Sequence, residues 1–373
     1  MAEETKDFKD RFDQRAADEL AAQVYTAWNV FDRKRFLKLA THNLASLEMT
    51  PRVRQFSGAL AATLPADKTT AIEILVRSLP SPMDGCDDLS SSWIQWPVAH
   101  FISEHGLPHY QQSMAALREI TMRFTSEFAV RPFAAAYPEK VYRDLLKLTA
   151  DPNPHVRRWC SEGSRPRLPW GQRLNDLVAD PSPLWPILDA LRHDPELYVR
   201  RSVANNLNDI AKDHPELVVE KCAEWKQAAS NKDLDHLIRH ALRTLIKNGH
   251  PGALGFLGYA PLQKTEADFS ISGARIPIGK PLELSLTLIS RNKTDQNLVI
   301  DFAIHFLRKN GSHSRKVFKW TTLTLPAAGT LTLSKKHPLK KTTIRALYPG
   351  LHRVELLVNG ATLSEIPFEL LTE

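Results

Sequence analysis

Three acidic residues are set apart by their neighbours: Glu127 in Thr125-Ser-Glu-Phe-Ala-Val-Arg-Pro-Phe133, Glu162 in Arg157-Arg-Trp-Cys-Ser-Glu-Gly163, and Asp209 in Val203-Ala-Asn-Asn-Leu-Asn-Asp209. Around Glu162 the run Trp159-Cys-Ser-Glu-Gly-Ser-Arg-Pro-Arg-Leu-Pro-Trp170 packs two tryptophans, two arginines and a carboxylate into twelve residues. Carboxylates beside aromatic faces suit the stabilisation of positive charge. One carboxylate about 4 Å from a developing cation contributes roughly 4 kcal/mol at an effective dielectric near 20, and an electron-rich ring adds about 1–2 kcal/mol. A structural alternative is that Trp159 and Trp170 fill an irregular junction while Glu162 pairs with a neighbouring arginine. Other chemistries lack their signatures: there is no Gly-x-Gly-x-x-Gly, no phosphate-binding Gly-x-x-x-x-Gly-Lys loop, no Gly-x-Ser-x-Gly and no His-Glu-x-x-His. His236 and His240 lie four apart without a third ligand and read as a solvated or inter-repeat face, so no metal and no cofactor is expected. Cys86, Cys160 and Cys222 are odd in number and lack Cys-x-x-Cys spacing, which points to packing residues in a reduced, cytoplasmic compartment.

The elements that must hold these residues are helical up to about residue 250, where apolar positions such as Leu20, Val24, Ala27 and Phe31 recur at three and four residues. Asp151-Pro-Asn-Pro-His-Val-Arg-Arg158 repeats 43 residues later as Asp194-Pro-Glu-Leu-Tyr-Val-Arg-Arg201. A third copy, Leu237-Ile-Arg-His-Ala-Leu242, begins 39 residues after Tyr198, with weaker echoes at Val53-Arg54 and Val130-Arg131. Periods near 40 mark HEAT-like arrays, in which each helix pair buries its apolar face against its neighbours. The Asp-Pro pairs read as helix N-caps followed by a proline at the first helical position. Inner helices are placed from Val156, Val199 and Ile238, and the function belongs on them.

From Gly249 to Leu262 a glycine-rich run breaks the helical period, and the pattern then becomes β. Seven strands are predicted, at 268–272, 282–290, 298–307, 316–323, 330–337, 351–358 and 364–370; the second alternates Leu282, Leu284, Leu286 and Leu288 with polar residues. The fold class is thus an all-α HEAT-like solenoid over 1–250, a linker over 251–262, and an immunoglobulin-like β-sandwich over 263–373, with another small sandwich or barrel as the alternative for the last part. The net charge is +7, and residues 262–373 hold 16 basic against 9 acidic side chains, so the whole formal excess sits there. A basic module beside a neutral body fits a polyanionic partner as well as ordinary solubilising charge. No stretch approaches the length of about 18 apolar residues that a spanning helix needs, and no membrane association is expected.

The segments Ser126–Phe133, Val156–Trp170 and Tyr198–Asp209, taken together, resemble the AlkC branch of the HEAT-like alkylpurine DNA glycosylases over essentially the whole chain. The resemblance implies that Glu127, Glu162 and Asp209 are the active-site carboxylates, and that Trp170, with Phe128 and Trp159, contacts the damaged base. It implies hydrolytic excision of cationic bases of the 3-methyladenine and 3-methylcytosine class from double-stranded DNA by a monomer, without metal, cofactor or lyase step. Such a base is already a good leaving group, so the protein has to stabilise an oxocarbenium-like sugar and position water. Arg157 and Arg200, equivalent by repeat, suit an inter-repeat ladder as well as phosphate, whereas Arg158, Arg165, Arg167 and Arg201 are the phosphate candidates. In the β module Arg291, Asn292 and Lys293 form one candidate DNA contact and Lys335 and Lys336, with Lys340 and Lys341, a second, with solvated turns as the alternative. Against the enzyme stands a non-catalytic repeat scaffold binding nucleic acid or protein, which would gain nothing from acidic residues that repel DNA.

Overall fold

A computed structural model describes residues 8–83, 85, 93–229, 231–340 and 346–372. The first part is helical and the last is β, as expected; among the described residues no helix is long and apolar enough to cross a membrane. Cys86 and Lys341 lie outside the described residues, whereas Cys160 and Cys222 are free, buried thiols.

Two compact units are present, one running to His214 together with Lys226–Ala241, the other comprising Pro215–Trp225 and everything from Leu242 onward. In the first, the helix Leu197–Ile210 lies against both Pro154–Glu162 and Lys232–Ala241, so the repeated segments pack on one another. An arginine ladder ties successive units. Arg118 Nε donates to Asp151 Oδ2 (2.8 Å), Arg157 Nε and Nη2 donate to Asp194 (2.6 and 3.1 Å), and Arg200 Nη2 lies 3.0 Å from Asp233 Oδ1. Arg157 Nη1 also donates to the carbonyls of Asp151 and Pro152, and Arg200 Nη1 to those of Asp194 and Pro195.

That ladder corrects the reading of the Asp-Pro pairs. Asp151 Oδ1 accepts from Asn153 N (2.8 Å) and Asp194 Oδ1 from Glu196 N (2.9 Å), so each closes a turn ahead of its helix. The helices then start at Pro154 and Leu197, with Asn153 as the side-chain cap of the first. The aspartates are set back because their other oxygen is taken by the arginine of the preceding repeat. The third inner helix also begins earlier than expected, at Lys232, where Asn231 Oδ1 accepts from Leu234 N.

The β module is a sandwich of eight strands: β1 Thr265–Ile271, β2 Arg275–Pro277, β3 Pro281–Ser290, β4 Gln296–Leu307, β5 His313–Leu325, β6 Thr330–Pro338, β7 Gly350–Val358 and β8 Ala361–Leu371. Sheet order is β1-β3-β6 and β2-β8-β7-β4-β5. Leu282, Leu284, Leu286 and Leu288 of β3 enter the core with Phe302, Ile304, Val354 and Leu356 of the facing sheet, as period-2 alternation requires. The strand missed in the sequence, β2, has three residues, too few to show a period.

The β7–β8 turn carries the module's tightest constraint. Asn359 (φ 48°) and Gly360 (φ 82°) form its two-residue loop, a pair readable from sequence as a hairpin signal. Asn359 accepts from Val299 N through Oδ1 (2.7 Å) and donates through Nδ2 to the carbonyls of Ala260 and Asn297. A Cβ on Gly360 would stand 2.0 Å from Gly249 O. Left-handed strain and backbone overpacking therefore add, and Gly360→Ala is expected to cost about 3 kcal/mol. Urea unfolding followed by tryptophan fluorescence checks this; an unchanged midpoint would mean the crossing relaxes freely.

Candidate active site

The three carboxylates arrive from different local structures. Glu162 is the last residue of the helix Pro154–Glu162, and Asp209 stands next to the end of Leu197–Ile210. Glu127 lies not on an inner helix but in a turn between Tyr110–Thr121 and Arg131–Ala136. That turn is fixed where Ser126 Oγ donates to Leu117 O and Ser126 O accepts from Ala129 N and Val130 N.

Arginines alternate with these acids. Arg158 Nη1 is 2.9 Å from Glu127 Oε2 and its Nη2 is 3.7 Å from Glu162 Oε1. Arg165 Nη1 donates to Glu162 Oε1 (2.6 Å) while its Nε donates to Asp209 Oδ2 (2.8 Å). Hydroxyls and an ammonium complete the chain: Thr125 Oγ1 to Glu127 Oε2 (2.9 Å), Ser202 Oγ to Glu162 Oε2 (2.6 Å), and Lys212 Nζ to Asp209 Oδ1 (2.7 Å). Burial by itself would raise the Glu162 pKa, but Arg158, Arg165 and the Ser202 hydroxyl outweigh it and hold the carboxyl below its ordinary 4.5. The same acids raise the pKa of Arg158 and Arg165 against the effect of burial.

Above the acids lies a cavity of about 310 Å³ lined by Glu127, Glu162, Arg158 and Arg165 and walled by Trp93, Trp96, Phe124, Phe128, Leu168, Pro169 and Trp170. Its size is at the small end of the roughly 300–1,000 Å³ of small-molecule sites. Trp96 and Phe128 stack with centroids 5.1 Å apart, and Trp93 packs against both Trp96 and Phe124. Trp170 is 76% exposed with φ 63°, at the rim.

A solved structure shares this fold throughout: the Pseudomonas fluorescens alkylpurine DNA glycosylase AlkC bound to DNA containing an abasic site analog, 35% identical, with a TM-score of 0.84 over 98% of this chain and 99% of that one. The chain belongs to the AlkC family. A Bacillus subtilis (strain 168) relative described as "Uncharacterized protein YhaZ" is 36% identical over 366 residues, spanning 98% of this chain and 99% of its own. The family model "Uncharacterised protein YhaZ, C-terminal Ig-like domain" matches residues 265–372, the β-sandwich.

Within this AlkC-family chain, several residues singled out in the sequence fall elsewhere than expected. Trp159 is fully buried and does not line the cavity: three residues before Glu162 on the same helix, it faces the interior and fills core. Arg158 and Arg165, read as phosphate contacts, line the cavity with each guanidinium held between two acids. Arg167 is half-buried and donates through Nε and Nη2 to Asp213 (2.6 Å each), while Arg201 is exposed. In the β module Arg291 pairs with Glu266, Asn292 donates to Gln263 O, and Lys293 is exposed. Lys335 and Lys336 lie within strand β6, inside the strand predicted over 330–337, and Lys336 pairs with Glu283. His240 contacts Asn205, and His236 is exposed. Among the described residues His305, Glu355 and Glu365 bring possible metal-ligand atoms within 4.8 Å, but Arg315 and Arg353 occupy the two carboxylates.

Trp93, Trp96 and Phe124 are not singled out by sequence: the first two read as an ordinary apolar helix start, and Phe124 follows the end of the helix Tyr110–Thr121. Nor is Arg131, which donates to Gly163 O and to Gln172 O from full burial and so clasps the segment carrying Arg165, Leu168 and Trp170. Burial lowers the Arg131 pKa to about 10, which leaves it charged at neutral pH.

Proposed function

We propose that this protein is a DNA glycosylase that hydrolyses the N-glycosidic bond of alkylated bases in double-stranded DNA, with cationic bases of the 3-methyladenine and 3-methylcytosine class as substrates. The observation that carries the reading is the cluster of Glu127, Glu162 and Asp209 meeting under an aromatic-walled cavity. A plain phosphate-binding groove would not set acids there, since they repel the DNA backbone.

The chemistry follows from charge. A cationic base needs no proton to leave, so bond breaking is limited by the positive charge that grows on the sugar. Glu127 and Glu162 at the cavity floor face that charge, and Trp170 and Phe128 offer ring faces to the base. Water attacking the sugar gives up its proton to an ionised carboxylate within reach, and Glu162 stays ionised because its pKa is held down. Among the described residues lining the cavity none is a lysine, which supports hydrolysis without a Schiff base; borohydride is expected to trap no covalent DNA adduct. Contacts to phosphates are assigned to Arg201, and in the β module to Arg291, Lys293, Lys335 and Lys336.

The decisive test is to incubate methylated duplex DNA with the protein and identify the free bases released. Release of 3-methyladenine or 3-methylcytosine is expected, and tight binding with no base released would favour the scaffold reading. Trp170→Ala is expected to lower excision efficiency about tenfold through the lost cation–π face, without moving the unfolding midpoint, because the side chain is largely exposed. An excision rate equal to that of the unaltered protein would remove Trp170 from the site.

A further inference from the structure

We propose that Lys212 is a displaceable counter-ion of Asp209, drawn away by the phosphates of bound DNA, so that the carboxylate cluster becomes one unit of charge more negative when DNA binds. The inference rests on the glycosylase reading and adds how its site is switched on. In the free protein the ion chain runs Glu127, Arg158, Glu162, Arg165, Asp209, Lys212. Three carboxylates thus alternate with three cations, Lys212 being the last, while the buried Arg131 adds a further positive charge within reach of Glu127 and Asp209. Each cation in the chain weakens the pull of the acids on a cationic base, so removing one makes the site more selective for positive charge.

The three cations are not equally held. Arg158 and Arg165 are each clasped between two acids, with side chains 16% and 9% exposed. Lys212 meets Asp209 through one oxygen, and its side chain is 43% exposed beside an acid that is 2% exposed. An ammonium on a flexible stem, half in solvent, moves more readily than a clasped guanidinium. Its departure would leave Asp209 still bonded to Arg165 through the other oxygen, so no buried carboxylate loses its last partner. Lys212 is the exposed end of the chain, where a polyanion can reach it without entering the cavity. With Lys212 on a phosphate, the cluster is one unit of charge more negative than in the free protein. A cationic base gains from that added negative charge, whereas an undamaged base does not, so contact with DNA and choice of base become linked.

The test compares full-length protein with Lys212→Met and Lys212→Arg. In the absence of DNA, NMR titration with 3-methylcytidine and with cytidine reads the charge of the cluster without turnover. Lys212→Met is expected to bind the cationic nucleoside at least threefold more tightly than the unaltered protein, with cytidine unchanged, while Lys212→Arg keeps the original affinities. For undamaged duplex DNA the slope of log K against log salt is expected to fall by about one in Lys212→Met and to persist in Lys212→Arg. Nucleoside affinity unchanged in Lys212→Met would overturn the proposal. So would a tenfold or greater fall in single-turnover excision at saturating DNA with the salt slope intact, because Lys212 would then be holding Asp209 during the reaction. Failure of the unaltered protein to release any base from methylated DNA overturns the glycosylase reading instead, since the nucleoside titrations do not depend on turnover.

Discussion

Glu162→Gln is expected to lower the single-turnover rate of base excision from methylated duplex DNA by at least a hundredfold at saturating protein, with DNA affinity equal or better. Glu162 sits at the centre of the ion chain, accepts from Arg165 and Ser202 on separate oxygens, and lines the cavity. A full negative charge about 4 Å from the sugar cation would contribute roughly 4 kcal/mol, close to three decades of rate. Arg158 and Arg165 already offset part of that field, which brings the expectation down to about two decades. Glutamine keeps the shape and one acceptor oxygen, so the loss reports charge more than geometry. Asp209→Asn, further from the cavity lining, is expected to lose at least tenfold. The affinity expectation has its own sign: removing an acid from a surface approached by a polyanion cannot weaken long-range attraction. Rates within threefold of the unaltered protein for both variants would remove the carboxylates from the mechanism.

What the sequence made legible was local. Glu127, Glu162 and Asp209 announced themselves by aromatic and arginine neighbours, and the equivalence of Arg157 and Arg200 by repeat anticipated a ladder that the structure extends to Arg118. What it hid depended on contacts between repeats. That Arg165 would be spent on Asp209, 44 residues away, follows from helix stacking and not from spacing. Trp159 looked as chemically suggestive as Trp170; helix phase turns the first into the core, while a left-handed backbone sets the second at the cavity rim. The aromatic wall of Trp93, Trp96 and Phe124 was invisible because apolar residues flanking helix ends read as packing. Asn359-Gly360 is the reverse case, a turn signal present in the chain whose burial and close crossing become apparent only in three dimensions.

Arg165→Met is expected to destabilise the helical unit by about 3–5 kcal/mol, the range for removing one member of a buried charge network. Its guanidinium bridges Glu162 and Asp209, both nearly inaccessible, and methionine fills a similar volume without donating a hydrogen bond. Lys212 remains on Asp209 and Arg158 lies 3.7 Å from Glu162, so the low end of the range is the expectation. Chemical denaturation followed by far-ultraviolet circular dichroism reads the loss; a change under about 1 kcal/mol would mean the pair behaves like a solvent-exposed one. Acidity gives an independent check on the cause. In the unaltered protein Glu162 is held below its ordinary 4.5, so its share of stability is present above that value and is lost as pH falls through the lowered one. Without Arg165, burial dominates and the Glu162 pKa rises, so the variant carries its penalty at neutral pH and sheds it as the carboxyl takes up a proton. The stability gap between the two proteins should therefore narrow steadily as pH falls toward 4. Adding Glu162→Gln to Arg165→Met should recover at least half of the loss at neutral pH, because the uncompensated charge goes with it. A pH-independent gap, or no recovery in the double variant, would assign the loss to packing and leave the ion chain without an energetic role.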